Sequence, residues 1–140
     1  MISLDQIRRD LRFLSSYEVV LYGSYVTGDY TRESDIDVAV ITREKDKNKN
    51  FRIQLDIWGK VPSPIYDVRV FELLPIRVKA SVIDGYLVLF GSESDISEYF
   101  YRWRKVWEDV RRRIEPMSIE EKIKAVRRRK KILKTITKPE

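Results

Sequence analysis

Two short stretches bring together residue types that could do chemistry. Gly23-Ser24 closes the apolar run Glu18–Tyr22, and after ten intervening residues Asp35-Ile36-Asp37 opens a second run that ends at Thr42. On an extended strand, residues i and i+2 point to one face, so Asp35 and Asp37 would present two carboxylates side by side. Like charges that close repel and raise a pKa unless a cation sits between them. Hard oxygen ligands on a strand suit Mg²⁺, which commonly takes one or two carboxylates plus substrate phosphates. Gly23 lets backbone approach a phosphate closely, N–H groups at a helix start favour an anion, and the Ser24 hydroxyl adds a donor. A phosphate cradle beside paired carboxylates is the arrangement expected for phosphoryl or nucleotidyl transfer. Each piece taken singly has a plainer meaning: a solvent-facing strand start, a turn glycine, a helix cap.

A second metal would need a further ligand, and Asp67 in the run Ile65–Glu72 fits. It interrupts what reads as an apolar strand face, where an unused charge is expensive. Its expected role is to bind the second metal or to activate the attacking hydroxyl, although an edge strand would carry it harmlessly. Asp56, on an expected helix, and Glu72, at a strand end, compete with it. His 0 and Cys 0 exclude a Ser-His-Asp centre, a thiol nucleophile and zinc sites built on imidazole or thiolate. A general base here must be a carboxylate or a metal-bound hydroxide.

The elements that must hold these residues can be read from periodicity. Ser3-Leu-Asp-Gln6 resembles a capping box, and Ile7, Leu11 and Leu14 give the stripe of a helix over about 4–15. Strands are expected at 18–22, 35–42, 65–72 and 86–90, with a short helix or turn at 24–29. Residues 46–59 fit a helix with Phe51, Leu55 and Trp58 on one face, and Pro75 suits the first turn of another reaching about Ile83. Ile96, Tyr99, Phe100, Trp103, Trp107, Val110 and Ile114 then form a long amphipathic stripe. Pro116 ends it, and Ser118-Ile-Glu-Glu121 reads as the cap of a last helix. The expected fold class is α/β (α+β): a small mixed sheet of about four strands flanked by helices, with two C-terminal helices. The domain organisation is a body at 1–92 and a basic helical extension at 93–140.

The 140 residues carry a net charge of +6, unevenly spread. Residues 1–98 are net −3 and residues 99–140 net +9. The runs Arg111–Arg113 and Arg127–Lys131 read either as solvated helix faces or as contacts for nucleic acid or an acidic protein. The aromatic stripe suits packing in the core, or an interface with another copy or a different protein. No run approaches the roughly 18 apolar residues of a membrane span, and the N-terminus lacks a signal peptide's apolar centre, so a soluble cytoplasmic protein is expected. Two Asn, two Gln and many charges resemble a thermophile's composition.

Gly23-Ser24, ten residues, then Asp35-x-Asp37 resembles the signature of the polymerase-β-like nucleotidyltransferase superfamily. Within it the chain is most similar, over about residues 1–92, to the minimal nucleotidyltransferases (MNT) paired with HEPN proteins. The resemblance implies the nucleotidyltransferase fold, Mg²⁺ (two ions) held by Asp35, Asp37 and Asp67, and ATP as substrate with its triphosphate on Gly23 and Ser24. Such MNT proteins act as antitoxins that transfer AMP from ATP onto a HEPN toxin. Lacking histidine, this chain cannot be the nuclease half of such a pair. Many members carry an Arg where this chain has Thr27 before Gly28, with Arg32 close by in sequence. Non-catalytic blocking of a partner and nucleotide addition to RNA 3′ ends are the alternatives.

Overall fold

The computed structural model describes residues 2–114 and 119–137. Ser3 Oγ accepts the Gln6 backbone N–H at 3.1 Å and starts α1 (Leu4–Asp10). The first expected helix is shorter than its stripe, because a 3₁₀ turn at Arg12–Leu14 continues it. Ile7, Leu11 and Leu14 are nevertheless all buried.

Strands β1 (Glu18–Tyr22), β2 (Ile36–Ile41), β3 (Tyr66–Val70) and β4 (Leu87–Phe90) form one mixed sheet in the order β3-β2-β1-β4. β1 pairs antiparallel with β2 and β4, while β2 and β3 run parallel. Alternate residues feed two cores. Leu21, Ile36, Val38, Val40 and Val68 face Ile7, Leu11 and Leu14. Val20, Tyr22, Ala39 and Ile41 face Phe71, Leu74, Val82, Ile83, Ile96 and Phe100. Covering the sheet on both sides explains why β1 reads as an unbroken apolar run.

The parallel pair is joined through α3 (Lys47–Trp58), which Asp46 caps through the N–H groups of Asn48 and Lys49. Its buried side corrects the expected one. Phe51, Leu55 and Trp58 are about half exposed, whereas polar Asn50 and Gln54 are buried with Ile57. The reason is the sheet edge. β3 is an outer strand, and α3 satisfies its outward backbone groups: Gln54 Oε1 accepts from Val70 N at 3.0 Å, and Trp58 Nε1 donates to Val68 O at 2.6 Å. Covering an edge in this way removes a template for pairing with other chains.

β3 ends at Val70, and a 3₁₀ turn over Phe71–Leu73 takes Glu72 out of the strand expected to contain it. The Glu72 carboxylate accepts from Thr42 N, Thr42 Oγ1, Arg43 N and Tyr99 OH at 2.7–3.2 Å. Arg43, at φ 59°, reaches back to Glu18 through two bonds of 2.6 and 3.0 Å. Together they tie the C-terminal end of β2 to the start of β1. α4 (Ile76–Asp84) follows Pro75 and buries Lys79, which donates to the carbonyls of Glu72 and Leu74 and lies 4.4 Å from the Trp103 ring centroid.

The chain forms two compact units, Met1–Arg104 and Lys105–Glu140. α5 (Glu93–Ile114) begins in the first, where Ile96 and Phe100 enter the core with Tyr99 and Trp103 against it. The second holds the rest of α5 and α6 (Ile119–Thr137), with Arg111, Arg112, Arg113, Arg127, Arg128 and Arg129 exposed. Pro116 and the Ser118 cap lie outside the described residues.

Candidate active site

Sheet register sets the central geometry. Tyr22 is opposite Asp37 in the β1–β2 ladder, and Asp37 is opposite Asp67 in the β2–β3 ladder. Tyr22, Asp37 and Asp67 therefore form one row across three strands. It lies on the α4–α5 side of the sheet, because Tyr22 shares that core with Val20, Ala39 and Ile41. The row stands at the end of the sheet opposite the Glu72–Arg43 clamp.

The turn beside it is built on two glycines. Gly23 takes φ 74° as β1 ends, α2 (Ser24–Thr27) makes one turn, and Gly28 closes it at φ 89° with its N–H on Ser24 O. A Cβ on Gly23 would overlap Asp37 Oδ2. Glycine is thus required here twice, for a left-handed φ and for the approach of a carboxylate. Close approach of a phosphate was the sequence-based reason for Gly23; the group that packs over it is Asp37. Ser24 is half-buried at the start of α2.

Asp35 is exposed one residue before β2 begins, and Asp37 is half-buried on the strand. The Asp37 carboxyl is pushed above its ordinary value, first by burial, then by the charges of Asp67 and Asp35, with Arg69 opposing. The buried Tyr22 phenol is pushed up to about 12, again by burial first and then by Asp37 and Asp67. Electrostatically, then, Asp35 and Asp67 both act on Asp37.

Asp67 does not interrupt an apolar face. The apolar side of β3 is Tyr66, Val68 and Val70, and the other side carries Asp67 and Arg69, whose Nε lies 3.1 Å from Asp67 Oδ1. An edge strand tolerates such a polar side because solvent reaches it. The two competing carboxylates lie elsewhere: Asp56, on α3, pairs with Lys60 beyond the helix end at 3.2 Å, and Glu72 belongs to the clamp. Periodicity would have found Arg69, two positions beyond Asp67. Tyr22 gave no such signal, since its place in the row depends on pairing between strands.

Among the described residues, no set of three or more acidic side chains is arranged to hold a metal ion. The three carboxylates therefore do not form a ready-made ligand set; Asp67 turns one oxygen to Arg69. The donor chemistry still fits Mg²⁺. Asp37 and Asp67 are hard oxygen donors at paired positions, their repulsion is of the kind a cation relieves, and Mg²⁺ needs only one or two carboxylates when phosphates supply the rest.

A cavity of about 450 Å³ is bordered by Ile2, Tyr30, Thr31 and Arg32, on the segment leading from α2 to β2. Tyr25 supports it by donating to Ile2 O at 2.9 Å and packing edge-on against Tyr30. Thr27 Oγ1 donates locally to Asp29 at 3.2 Å.

A mixed four-stranded sheet with a glycine–serine turn beside acidic residues on neighbouring strands defines a nucleotidyltransferase-like α/β domain. The family described as "Nucleotidyltransferase domain" matches residues 4–138, and the chain belongs to it. It is similar to a Methanocaldococcus jannaschii protein named "Putative protein adenylyltransferase MJ1547", at 36% identity over 115 residues, covering 80% of this chain and 88% of that one. A second M. jannaschii protein of the same description, MJ0141, is 46% identical over 71 residues, covering 47% and 67%. A toxin–antitoxin crystal structure with AMP-PNP superposes with a TM-score of 0.62 at 20% identity, over 82% of this chain and 94% of that one. A tri-AMPylated Shewanella oneidensis HEPN toxin in complex with its MNT antitoxin matches with a TM-score of 0.55 at 16% identity, over 81% and 90%. These two likenesses are of fold. The family match and the 36% identical relative make this chain a nucleotidyltransferase, the class the resemblance implied. Among the described residues no helix is long and apolar enough to cross a membrane.

Proposed function

We propose that this nucleotidyltransferase moves AMP from ATP to a hydroxyl of a protein partner, and that the partner is a HEPN-type toxin which the transfer silences. The observation that carries this is the Asp37–Asp67 register pair beside the Gly23-Ser24 turn. Support for the acceptor class comes from the 36% identity to a protein described as an adenylyltransferase. The AMPylated HEPN toxin in a complex of similar fold supports the choice of partner.

In this reading Ser24 and the backbone of the turn hold the triphosphate, and Asp35, Asp37 and Asp67 would hold Mg²⁺. When bound, Mg²⁺ supplies positive charge against the phosphate oxygens as negative charge shifts toward the leaving group. The acceptor oxygen bonds to the α-phosphorus, the bond from that phosphorus to the bridging oxygen breaks, and pyrophosphate leaves. In this reading a carboxylate of the row takes the proton of the acceptor hydroxyl, a role that no histidine is present to fill.

The test is incubation with α-labelled ATP, Mg²⁺ and a HEPN protein encoded beside this chain. Label should move to the partner and be lost in the Asp35→Ala plus Asp37→Ala variant. Equal labelling by that variant would overturn the site. Neutralisation of the partner without any labelling would instead establish steric blocking.

A further inference from the structure

We propose that Arg69 is an exchangeable counter-ion of this site. It holds Asp67 while the site is empty, and passes to the triphosphate when a nucleotide and a divalent cation enter. The inference rests on the carboxylate-row reading above and adds to it a residue with a defined task.

Arg69 and Asp67 are two apart on β3, so their side chains leave the same side of an edge strand. The pair is close, 3.1 Å from Nε to Oδ1, yet its side chains are 51% and 35% exposed. Ion pairs this wet contribute little to stability, so the contact is cheap to break. The contact nevertheless occupies a carboxylate of the row, since one Asp67 oxygen accepts from the guanidinium. Arg69 also acts on the rest of the row, since its charge opposes the influence of the carboxylates on both Asp37 and Tyr22.

A divalent cation competing for Asp67 has to displace a monovalent group held by a weak bond. The displaced guanidinium remains tethered to β3 on the same side as the row. Residues 1–98 are net −3, so a triphosphate arriving there meets an acidic body and needs positive charge beyond the metal. Guanidinium is suited to that task, because its planar fork matches paired phosphate oxygens. Arg69 accordingly becomes a nucleotide contact, and its exchange makes metal binding dependent on nucleotide.

Calorimetric titration of the full chain tests this with two probes, Mg²⁺ alone and ATP in the presence of Mg²⁺. Arg69→Ala should bind Mg²⁺ alone about threefold or more tighter and bind ATP about threefold or more weaker. Arg69→Lys, which keeps charge but not the fork, should recover part of the ATP affinity. The thermal midpoint of Arg69→Ala should stay within about a degree of the parent's, because the lost pair is exposed. Unchanged affinity for either probe, or weaker Mg²⁺ binding in Arg69→Ala, overturns the proposal. Asp37→Asn separates this result from the underlying reading. Loss of Mg²⁺ binding in Asp37→Asn, with both affinities of Arg69→Ala unchanged, removes the role of Arg69 alone. Full Mg²⁺ binding by Asp37→Asn removes the carboxylate site itself.

Discussion

The carboxylate of Asp37 occupies the space that a side chain on residue 23 would need, so Asp37 and Gly23 are fitted to one another. Strand β2 supplies the acid, the end of β1 supplies the gap, and the antiparallel register brings them together.

Gly23→Ala should therefore fail on two counts. Alanine at φ 74° is strained, and its methyl group meets Asp37 Oδ2. A loss of about 1–3 kcal/mol in urea unfolding is expected, with a larger proportional loss of nucleotidyl transfer as Asp37 is pushed aside. Gly28→Ala is the control. It has a comparable φ of 89° but nothing within reach of a Cβ, so its cost should come from strain alone.

Asp37 should be a place where function costs stability. Its folded pKa is raised, so above that pKa its ionisation weakens the fold, and the cost disappears as pH falls below both folded and unfolded values. Asp37→Asn keeps the shape and removes the charge. Scanning calorimetry at pH 7 without Mg²⁺ should show a higher Tm for the variant, while transfer falls by about a hundredfold or more. A lower Tm would contradict the electrostatic account.

Lys79 sets a different pH dependence. Burial lowers its ammonium to about 8, so between pH 8 and its ordinary value of 10.5 the unfolded chain binds more protons than the folded one. Stability attributable to this group rises with pH across that interval. Tyr22, Tyr66 and Tyr99 act oppositely. Their phenols are raised by burial first, so they keep protons that the unfolded chain releases, and stability falls above pH 10. Unfolding measured from pH 7.5 to 9.5 should show the rise, and Lys79→Met should flatten it.

The edge cover supplied by α3 predicts a counter-intuitive cost. Gln54→Leu places an apolar residue at a buried position, yet it strips Val70 N–H of its acceptor. An orphaned buried amide costs about 1–3 kcal/mol, which should exceed the gain from the added apolar surface. Chemical denaturation of Gln54→Leu beside Gln54→Glu, which retains an acceptor oxygen, checks this: the Leu variant should be the less stable.

α3 also marks where periodicity misleads. Phe51, Leu55 and Trp58 form an apolar stripe at helical spacing, but of the three only Trp58 bonds β3, and the face buried beside it is that of Gln54 and Ile57. Helical period says which residues share a side, not which side a neighbouring strand requires. The strand expected over 65–72 stopped at Val70 for a related reason. Glu72 alternates correctly for a strand, but its carboxylate is used by donors from Thr42, Arg43 and Tyr99, all distant in sequence. Where apolar spacing and turn residues acted locally, as at Glu18–Tyr22 and in the stripe beginning at Ile96, expectation and structure agree.

By itself the sequence determined the chemical vocabulary. Without histidine or cysteine only carboxylates, hydroxyls, amines, guanidinium and backbone were available, and Gly23-Ser24 with Asp35 and Asp37 pointed to phosphoryl or nucleotidyl transfer because their spacing follows local strand and turn geometry; the narrower class came from the resemblance those residues carry. Tertiary structure alone decided that Tyr22, Asp37 and Asp67 share one row and that Asp37 lies against Gly23. Strand order and edge position arise from contacts between distant segments, and no local period encodes them.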